Sequence, residues 1–289
     1  MPAERFVDRL LARIAHVGSP VCIGLDPVVD RIPEAVKAQS SNDAEAVERF
    51  CVGVIEATAG VAAAFKPQSA CFERLGSAGI TALERVVAHI KTQDIPVVLD
   101  AKRGDIGSTA EHYAQAVRLL GADAVTVNAY LGPSTIEPYL DAGLGVFALV
   151  RTSNPDSDAV QSQRLTTGES VAELMAGLVC SSGRDRIGES GLSDVGAVVG
   201  VVGLTKAADG ARLRALMPEQ VFLVPGYGTQ GGTADDLKPL LARPGIPGRG
   251  VLVNASRSVI YAKPTGAESW QDAVGHAAQT MAADLASCH

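Results

Sequence analysis

The chain has 289 residues, of which 47% are hydrophobic, 20% are charged and only 4% are aromatic. This apolar content is enough for a large core built from Ala, Val, Leu and Ile, and it argues against disorder. The net charge of −7 excludes a general nucleic-acid-binding surface, which needs a basic face. A local basic pocket for a small anion remains possible.

The N-terminus and the cysteines indicate a cytoplasmic protein. Residues 1–20 carry early charges and no continuous apolar core, which is unlike a signal peptide. No apolar run approaches the ~20 residues of a membrane span. The five cysteines are scattered without a CxxC pair, as expected for reduced thiols. We therefore expect no membrane partner.

Eight short apolar runs alternate with longer amphipathic stretches along the chain. The runs are nearly continuous in apolar residues, which is typical of parallel strands covered on both faces. We predict strands at 21–26, 61–67, 95–102, 124–129, 145–151, 197–202, 221–226 and 250–256. We predict helices at 42–58, 79–92, 108–120, 134–142, 168–185, 206–216, 233–242 and 268–285. Ser108-Thr109 and Thr233 are candidate caps for two of these helices.

Eight strand–helix units preceded by an N-terminal helix predict an α/β fold, a (β/α)8 TIM barrel formed by residues 1–289 as one domain. An open doubly wound sheet is the alternative, but no GxGxxG motif follows the first strand. The active site of such a barrel lies at the carboxyl ends of its strands. Here those ends are polar: Asp26, Lys66, Asp100, Lys102, Asn128, Arg151, Thr152, Ser153, Gln230, Ser256 and Arg257. We expect these groups to converge on one mouth.

The segment DAKRGD places four charges in six residues at the end of strand three. Asp100 and Lys102 are two residues apart, so on an extended backbone both face the mouth, while Arg103 points away. Asp105 lies just beyond on the loop. A structural ion-pair network would explain the same charges. Lys102 between two carboxylates suits a fixed cation or an acid better than an amine nucleophile.

Two further features favour a functional site: Lys66 shares the predicted ring of Asp100 and Lys102, and two loops suit a phosphate group. Lys66 ends strand two, although a lone lysine at a strand end is also compatible with an ordinary surface residue. Glycine-rich 224–237 and the segment 252–262 follow strands seven and eight, where barrels frequently bind phosphate. Arg257 could add a bidentate clamp there. Turn glycines with a surface arginine would explain each feature alone, but their occurrence together after strands seven and eight favours phosphate binding.

Other catalytic motifs are missing from the sequence. The histidines have no metal-ligand spacing, and no HExxH, GxSxG or Walker pattern occurs. We therefore expect chemistry carried by Asp, Lys and Arg side chains, with no cofactor and no metal.

Six segments, in chain order, resemble the orotidine 5′-phosphate decarboxylase family. They are GLDP (24–27), FKPQ (65–68), DAKRGDI (100–106), RTSNP (151–155), PGYGTQGG (225–232) and NASRS (254–258). The resemblance covers nearly the whole chain and looks most like the longer bacterial branch. It implies a homodimeric barrel that converts a nucleoside monophosphate, orotidine 5′-phosphate, to UMP and CO2 without a cofactor.

The resemblance also implies roles for individual residues. Lys102 would donate the proton to C6, Asp100 would lie against the substrate carboxylate, and Asp105 would reach into the neighbouring subunit. The implied substrate-binding residues are Asp26 and Lys66 for the ribose side, Thr109 for a ribose hydroxyl across the dimer, Thr152 or Ser153 for the pyrimidine, and Gln230 and Arg257 for the phosphate.

Three alternatives stay open at this point. A related barrel with a D-x-K-x-x-D element could act on a sugar phosphate with Mg²⁺. A Schiff-base aldolase could use Lys66 or Lys102. A nucleotide-binding protein without catalysis could have kept the pocket.

Overall fold

The computed structural model describes residues 4–200, 204–227 and 233–288. The strands in these ranges are β1 (Val21–Leu25), β2 (Ala64–Pro67), β3 (Val98–Arg103), β4 (Ala124–Val127), β5 (Gly145–Arg151), β6 (Ser193–Val199), β7 (Gln220–Pro225) and β8 (Val251–Ala255). All pair in parallel, in the order β2-β1-β8-β7-β6-β5-β4-β3. Two single bridges, Phe65 with Val97 and Gln68 with Asp100, join β2 to β3. The predicted (β/α)8 barrel is confirmed.

Helices surround the strands. They are α1 (Phe6–Val17), α2 (Glu34–Lys37), α3 (Asp43–Thr58), α4 (Ser69–Glu73), α5 (Gly76–Thr92), α6 (Gly107–Leu120), α7 (Glu137–Asp141), α8 (Asp158–Gln161), α9 (Val171–Gly183), α10 (Leu204–Leu216), α11 (Ala234–Leu237), α12 (Arg257–Ile260) and α13 (Trp270–Asp284). The long helices α3, α5, α6, α9, α10 and α13 follow amphipathic stretches of the sequence, which bury one face against the strands. Within the described ranges, no helix is both long and apolar enough to cross a membrane.

The extra N-terminal helix, α1, covers the amino end of the barrel. The Phe6 ring packs edge-on against Phe147, with the ring centroids 6.0 Å apart. Gly145 opens β5 at this point because a Cβ there would lie 2.2 Å from the Phe6 ring. The Val7 amide donates to Asp194 at the start of β6 at 3.0 Å. With the amino end closed in this way, the opposite end of the barrel is left for a ligand.

The strands are buried on both faces, as their continuous apolar runs predict. Alternate residues such as Val98, Ala124 and Leu252 fill the interior of the barrel together with α1. Their neighbours, such as Val125 and Val253, pack against the surrounding helices. The described strands therefore form a rigid support for the polar groups at their carboxyl ends.

Several predicted boundaries differ from the structure. β6 begins at Ser193 instead of 197. The polar side chains of Ser193 and Asp194 can be buried in the strand because they have hydrogen-bond partners: the Ser193 hydroxyl donates to the Gly183 carbonyl at 2.9 Å, and Asp194 accepts the Val7 amide. The helix predicted at 233–242 ends at Leu237 and continues as a 3-10 turn containing Pro239. The predicted helix 134–142 is likewise reduced to α7 after a separate 3-10 turn.

The two predicted helix caps had different outcomes. Thr233 is the N-cap residue of α11, and its amide and hydroxyl both donate to the Asp236 carboxylate at 2.8 Å. Ser108 and Thr109 do not cap α6, because this helix already begins at Gly107, and they lie in its first turn.

Candidate active site

A cavity of about 380 Å³ opens at the carboxyl ends of the strands. Its lining residues are Lys66, Asp100, Lys102, Thr126, Leu149, Thr152, Ser153, Asn154, Gln161, Val198, Leu223 and Pro225. A larger surface groove of about 680 Å³ lies elsewhere, between α3, α5 and α13. None of the residues that line that groove lies at the carboxyl end of a strand. The smaller cavity is therefore the candidate site, in agreement with the position expected for a barrel.

Asp100 is the centre of a charge array at one wall of this cavity. The Lys66 ammonium donates to its Oδ2 at 2.8 Å, and the Lys102 ammonium donates to its Oδ1 at 2.6 Å. Gln68 and the Thr126 hydroxyl donate to the same carboxylate at 3.1 and 2.8 Å. The side chains of Lys66 and Asp100 are 6% and 9% exposed, whereas that of Lys102 is 47% exposed. Lys102 is thus an anchored cation that is open to the cavity.

The protonation state of this array follows from its contacts. Burial by itself would raise the pKa of Asp100, but the Lys66 and Lys102 ammonium groups outweigh it and hold that pKa well below its usual range. Burial would likewise lower the pKa of Lys66, but Asp100 and Asp26 overcome this effect and raise it. A charged Asp100 carboxylate and a charged Lys66 ammonium therefore coexist in the site at neutral pH.

A backbone irregularity, not simple alternation, brings Lys102 to Asp100. Lys102 has φ +45°, in the left-handed region, and the pairing of β3 with β4 shifts register between Leu99 and Arg103. The Thr126 hydroxyl accepts the amides of Ala101 and Lys102 at 3.1 and 2.9 Å. The expectation from an extended strand was therefore right about the meeting of the two side chains and wrong about its cause. Strain of this kind is common at functional sites.

Arg103 does face away from Lys102. Its guanidinium pairs with Glu73 at 2.9 Å and lies 5.0 Å from the centre of the Tyr113 ring. These contacts on the outside of the barrel fit a structural residue.

Three oxygen atoms near the ends of β1 and β8 lack partners within the described part of the chain. They are Asp26 Oδ1, Asn254 Oδ1 and Ser256 Oγ, all buried. Gly24 lies between them, since a Cβ at that position would be 2.8 Å from Ser256 Cβ and 3.1 Å from Asn254 Oδ1. Buried polar atoms without partners are rare and indicate a place for a ligand or water. Asn254 was missed at the sequence level, although it is a polar residue at a strand end.

Three other predicted site residues, Asp105, Thr109 and Arg257, lie outside the lining of this cavity. Asp105 follows β3, and its carboxylate accepts the Ile106 amide at 2.9 Å. Thr109 is exposed on α6, and Arg257 is exposed at the start of α12. Gln230 lies outside the described residues. Asp105, Thr109 and Arg257 are therefore not part of the cavity wall that Asp100 and Lys102 form within one chain.

The side chain of Arg151 does not lie where the sequence predicts. It was expected among the groups at the mouth, but its side chain is 3% exposed and is turned toward residues 157–161. Asn128 also departs from the expected ring, because its side chain accepts the Tyr130 amide at 3.2 Å. By contrast, Gln68, Thr126 and Gln161 border the charge array or the cavity and were not predicted. Gln68 had a signal, since it ends the FKPQ segment.

Metal ligands do not cluster in the part of the chain that the structure describes. In residues 4–200, 204–227 and 233–288, no group of three His, Cys, Asp or Glu side chains is arranged to hold a metal ion.

Comparisons with known proteins agree with the fold and identify the family. The model of the orotidine 5′-phosphate decarboxylase/HUMPS family matches residues 19–272. Orotidine 5′-phosphate decarboxylase of Rhodopirellula baltica is 36% identical over 293 residues, covering 93% of this chain and 95% of the relative. The enzyme of Paracidovorax citrulli is 41% identical, covering 89% and 90%.

A solved structure gives the same result. The structure of Leishmania donovani OMP decarboxylase superposes with a TM-score of 0.78 at 31% identity and covers 98% of both chains. The chain therefore belongs to the orotidine 5′-phosphate decarboxylase/HUMPS family.

Proposed function

We propose that this protein decarboxylates orotidine 5′-phosphate to UMP and CO2 in pyrimidine biosynthesis. The observation that carries the proposal is the anchored Lys102 ammonium, 2.6 Å from the buried Asp100 carboxylate and open to a cavity at the carboxyl ends of the strands. Curated relatives with this activity, matched over most of the chain, support the choice of reaction.

The site suits the electronic demand of this reaction. When CO2 leaves, the electron pair of the broken C–C bond stays on C6 of the pyrimidine. The Lys102 ammonium stabilises this growing charge and then transfers a proton to C6, so that UMP forms and the lysine is left neutral until solvent reprotonates it. A fixed charge that is already in place is usually the largest catalytic contribution. Asp100 fixes Lys102 and lies against the departing carboxylate.

Substrate binding is assigned to groups around the array. Lys66 and Asp26 bind the ribose side, which gives the unpartnered Asp26 oxygen a ligand. Ser153 binds the pyrimidine from the cavity wall. Gln230 and Arg257 hold the phosphate. Because the phosphate is remote from the breaking bond, its binding energy can be used to stabilise the transition state.

A homodimer completes this proposal. Asp105 and Thr109 lie outside the cavity of their own chain, and exposed apolar residues occur on their loop and on the loop after β4. Ile106, Leu131 and Tyr130 are 47%, 54% and 80% exposed. Such apolar exposure on consecutive loops fits an interface with a second copy. In the dimer Asp105 joins the charge array of the partner site, and Thr109 binds a ribose hydroxyl there.

The cysteines support a location in the cytoplasm. Cys22, Cys51, Cys71 and Cys180 are free thiols, and Cys22 and Cys51 are buried. Burial raises the pKa of the Cys22 thiol to about 12, which keeps it unreactive. Thiols in this state suit a reducing compartment.

The alternatives are less compatible with the geometry. A Schiff-base lysine must lose its proton before it attacks a carbonyl. Lys66 is paired with Asp100, which helps raise its pKa, so a neutral amine is disfavoured there. A sugar-phosphate reaction dependent on Mg²⁺ would need ligands for the ion, and the Asp100 oxygens are already used by four donors.

The test is turnover of orotidine 5′-phosphate by the purified protein in EDTA. We expect loss of substrate absorbance with stoichiometric UMP. No UMP formation, or activity that requires added Mg²⁺, would overturn the proposal. Borohydride with substrate separates the aldolase, which would form a covalent adduct. Tight UMP binding without turnover would identify a binding protein.

A further inference from the structure

The segment that follows β5 folds back over the candidate active site. Residues 152–154 line the cavity, and Gln161, at the end of α8, lines it as well. The two parts are separated by a 3-10 turn (Pro155–Ser157) and the first three residues of α8. Their contact is therefore made by side chains, not by regular secondary structure.

Both ends of the Gln161 side-chain amide form hydrogen bonds with Thr152. Its Oε1 accepts the Thr152 amide at 2.8 Å, and its Nε2 donates to the Thr152 hydroxyl at 2.8 Å. The Thr152 hydroxyl donates in turn to Asn154 Oδ1 at 2.6 Å. These bonds occupy the donors of Thr152. Ser153 is left between two fixed residues, on the wall of the cavity.

Arg151 holds Gln161 in this orientation. Its buried guanidinium donates to Gln161 Oε1 at 3.2 Å and to the Ser157 hydroxyl at 2.9 Å. It also forms an ion pair with Asp158 and lies 3.5 Å from Asp209 of α10. Because an amide oxygen faces the arginine, the amide nitrogen must face the Thr152 hydroxyl. The arginine thus sets which end of the Gln161 amide meets each group.

We propose that Gln161 is a positioning residue that fixes the 152–154 turn, so that Ser153 is presented to the pyrimidine ring. This inference rests on the proposed function, in which Ser153 contacts the ring. It also decides between the two pyrimidine contacts that the sequence left open. Thr152 has no free donor for the ring, since its amide and its hydroxyl are both bound within the chain.

The experiment measures the binding of two ligands to Gln161→Ala. UMP contains the pyrimidine, the ribose and the phosphate, whereas ribose 5-phosphate lacks the pyrimidine. Loss of two hydrogen bonds that fix the turn should weaken UMP binding about tenfold, with ribose 5-phosphate binding unchanged. For the reaction, KM for orotidine 5′-phosphate should rise by a similar factor.

The control is Gln163→Ala, which removes the same side chain two residues away. Gln163 is exposed, and its amide makes one long contact, of 3.4 Å, with the Asp158 carbonyl. The Gln163→Ala variant should bind UMP and ribose 5-phosphate as tightly as the wild type does. Gln161→Met keeps the side-chain volume without the amide, and it carries the test if the alanine variant folds poorly.

The outcomes separate this role from the proposed function. A wild-type protein that binds no UMP would overturn the proposed function and this role with it. If the wild type binds UMP but Gln161→Ala behaves like Gln163→Ala, the role of Gln161 is wrong. An equal loss for UMP and ribose 5-phosphate would also overturn it, because that result indicates general loosening of the site.

Discussion

Lys66 and Lys102 share one carboxylate but differ sharply in their surroundings. Both ammonium groups lie within 2.8 Å of an Asp100 oxygen, yet the Lys66 side chain is almost fully buried and the Lys102 side chain is about half exposed. Lys66 therefore serves as a fixed counter-charge, and Lys102 is the cation that can meet a ligand. This division of roles is the basis of the predictions for the array.

Asp100→Asn should lower the stability of the protein in a pH-dependent way. At neutral pH the substitution leaves the buried Lys66 ammonium without its counter-charge, which should lower the free energy of unfolding by about 3–5 kcal/mol. The folded-state pKa of Asp100 lies below its ordinary 3.8. The wild-type carboxylate therefore stabilises the fold fully above that value, and the contribution declines as the pH falls below it.

Urea denaturation across the acid range checks this prediction. The difference between wild type and variant should shrink by up to about 1.4 kcal/mol per pH unit below about pH 4. Asp284→Asn is the control, because Asp284 is exposed and such a change should stay within about 0.5 kcal/mol. A difference that is constant from neutral to acid pH would show that Asp100 has an ordinary pKa in the fold.

Arg257→Ala should weaken catalysis only through the phosphate. Each charge-assisted bond to the phosphate is worth about 1.5–3 kcal/mol, so kcat/KM for orotidine 5′-phosphate should fall about 10- to 100-fold. Turnover of orotidine, which lacks the phosphate, should not change. Arg85→Ala, at an exposed position on α5, is the control and should leave both rates unaffected. An equal loss for both substrates would show that Arg257 does not bind the phosphate.

Mixing two inactive variants should restore activity. Lys102→Ala removes the proton donor, and Asp105→Ala removes a carboxylate that we place in the partner site. Each alone should lose about 100-fold or more in kcat. In a mixed dimer, one site combines both substitutions and the other has neither. Random exchange of equal amounts makes about half of the dimers mixed, so about a quarter of all sites should carry neither substitution. If Asp105 acts within its own chain, the mixture will show no gain over its components.

The sequence predicts what depends on local pattern. The apolar run 145–151 matches β5 to the residue, because a strand buried on both faces needs only continuous apolar side chains. The bulge at Lys102 is not predictable in this way, since Thr126 of the neighbouring strand stabilises it. Arg151 could not be placed either, because its partners lie on a 3-10 turn, on α8 and on α10. Contacts of that kind depend on tertiary structure rather than on periodicity.

Gly200→Ala should disturb the pyrimidine side of the site without touching the charge array. A Cβ at Gly200 would lie 2.7 Å from the Ser153 amide nitrogen and 2.9 Å from Ser153 Cβ, so the backbone of the 152–154 turn must move. Overpacking of this kind costs about 1–3 kcal/mol, and UMP affinity should fall about tenfold or more. Isothermal titration with UMP and thermal unfolding measure the two effects.

Gly177→Ala is the matched control for this substitution. Gly177 lies on the exposed side of α9, and nothing lies within 4 Å of a Cβ built there. Alanine should stabilise that helix by up to about 1 kcal/mol and leave UMP binding unchanged. If Gly200→Ala binds UMP as tightly as Gly177→Ala does, the position of Ser153 does not limit recognition of the pyrimidine. The ring contact would then have to be assigned to a different wall of the cavity.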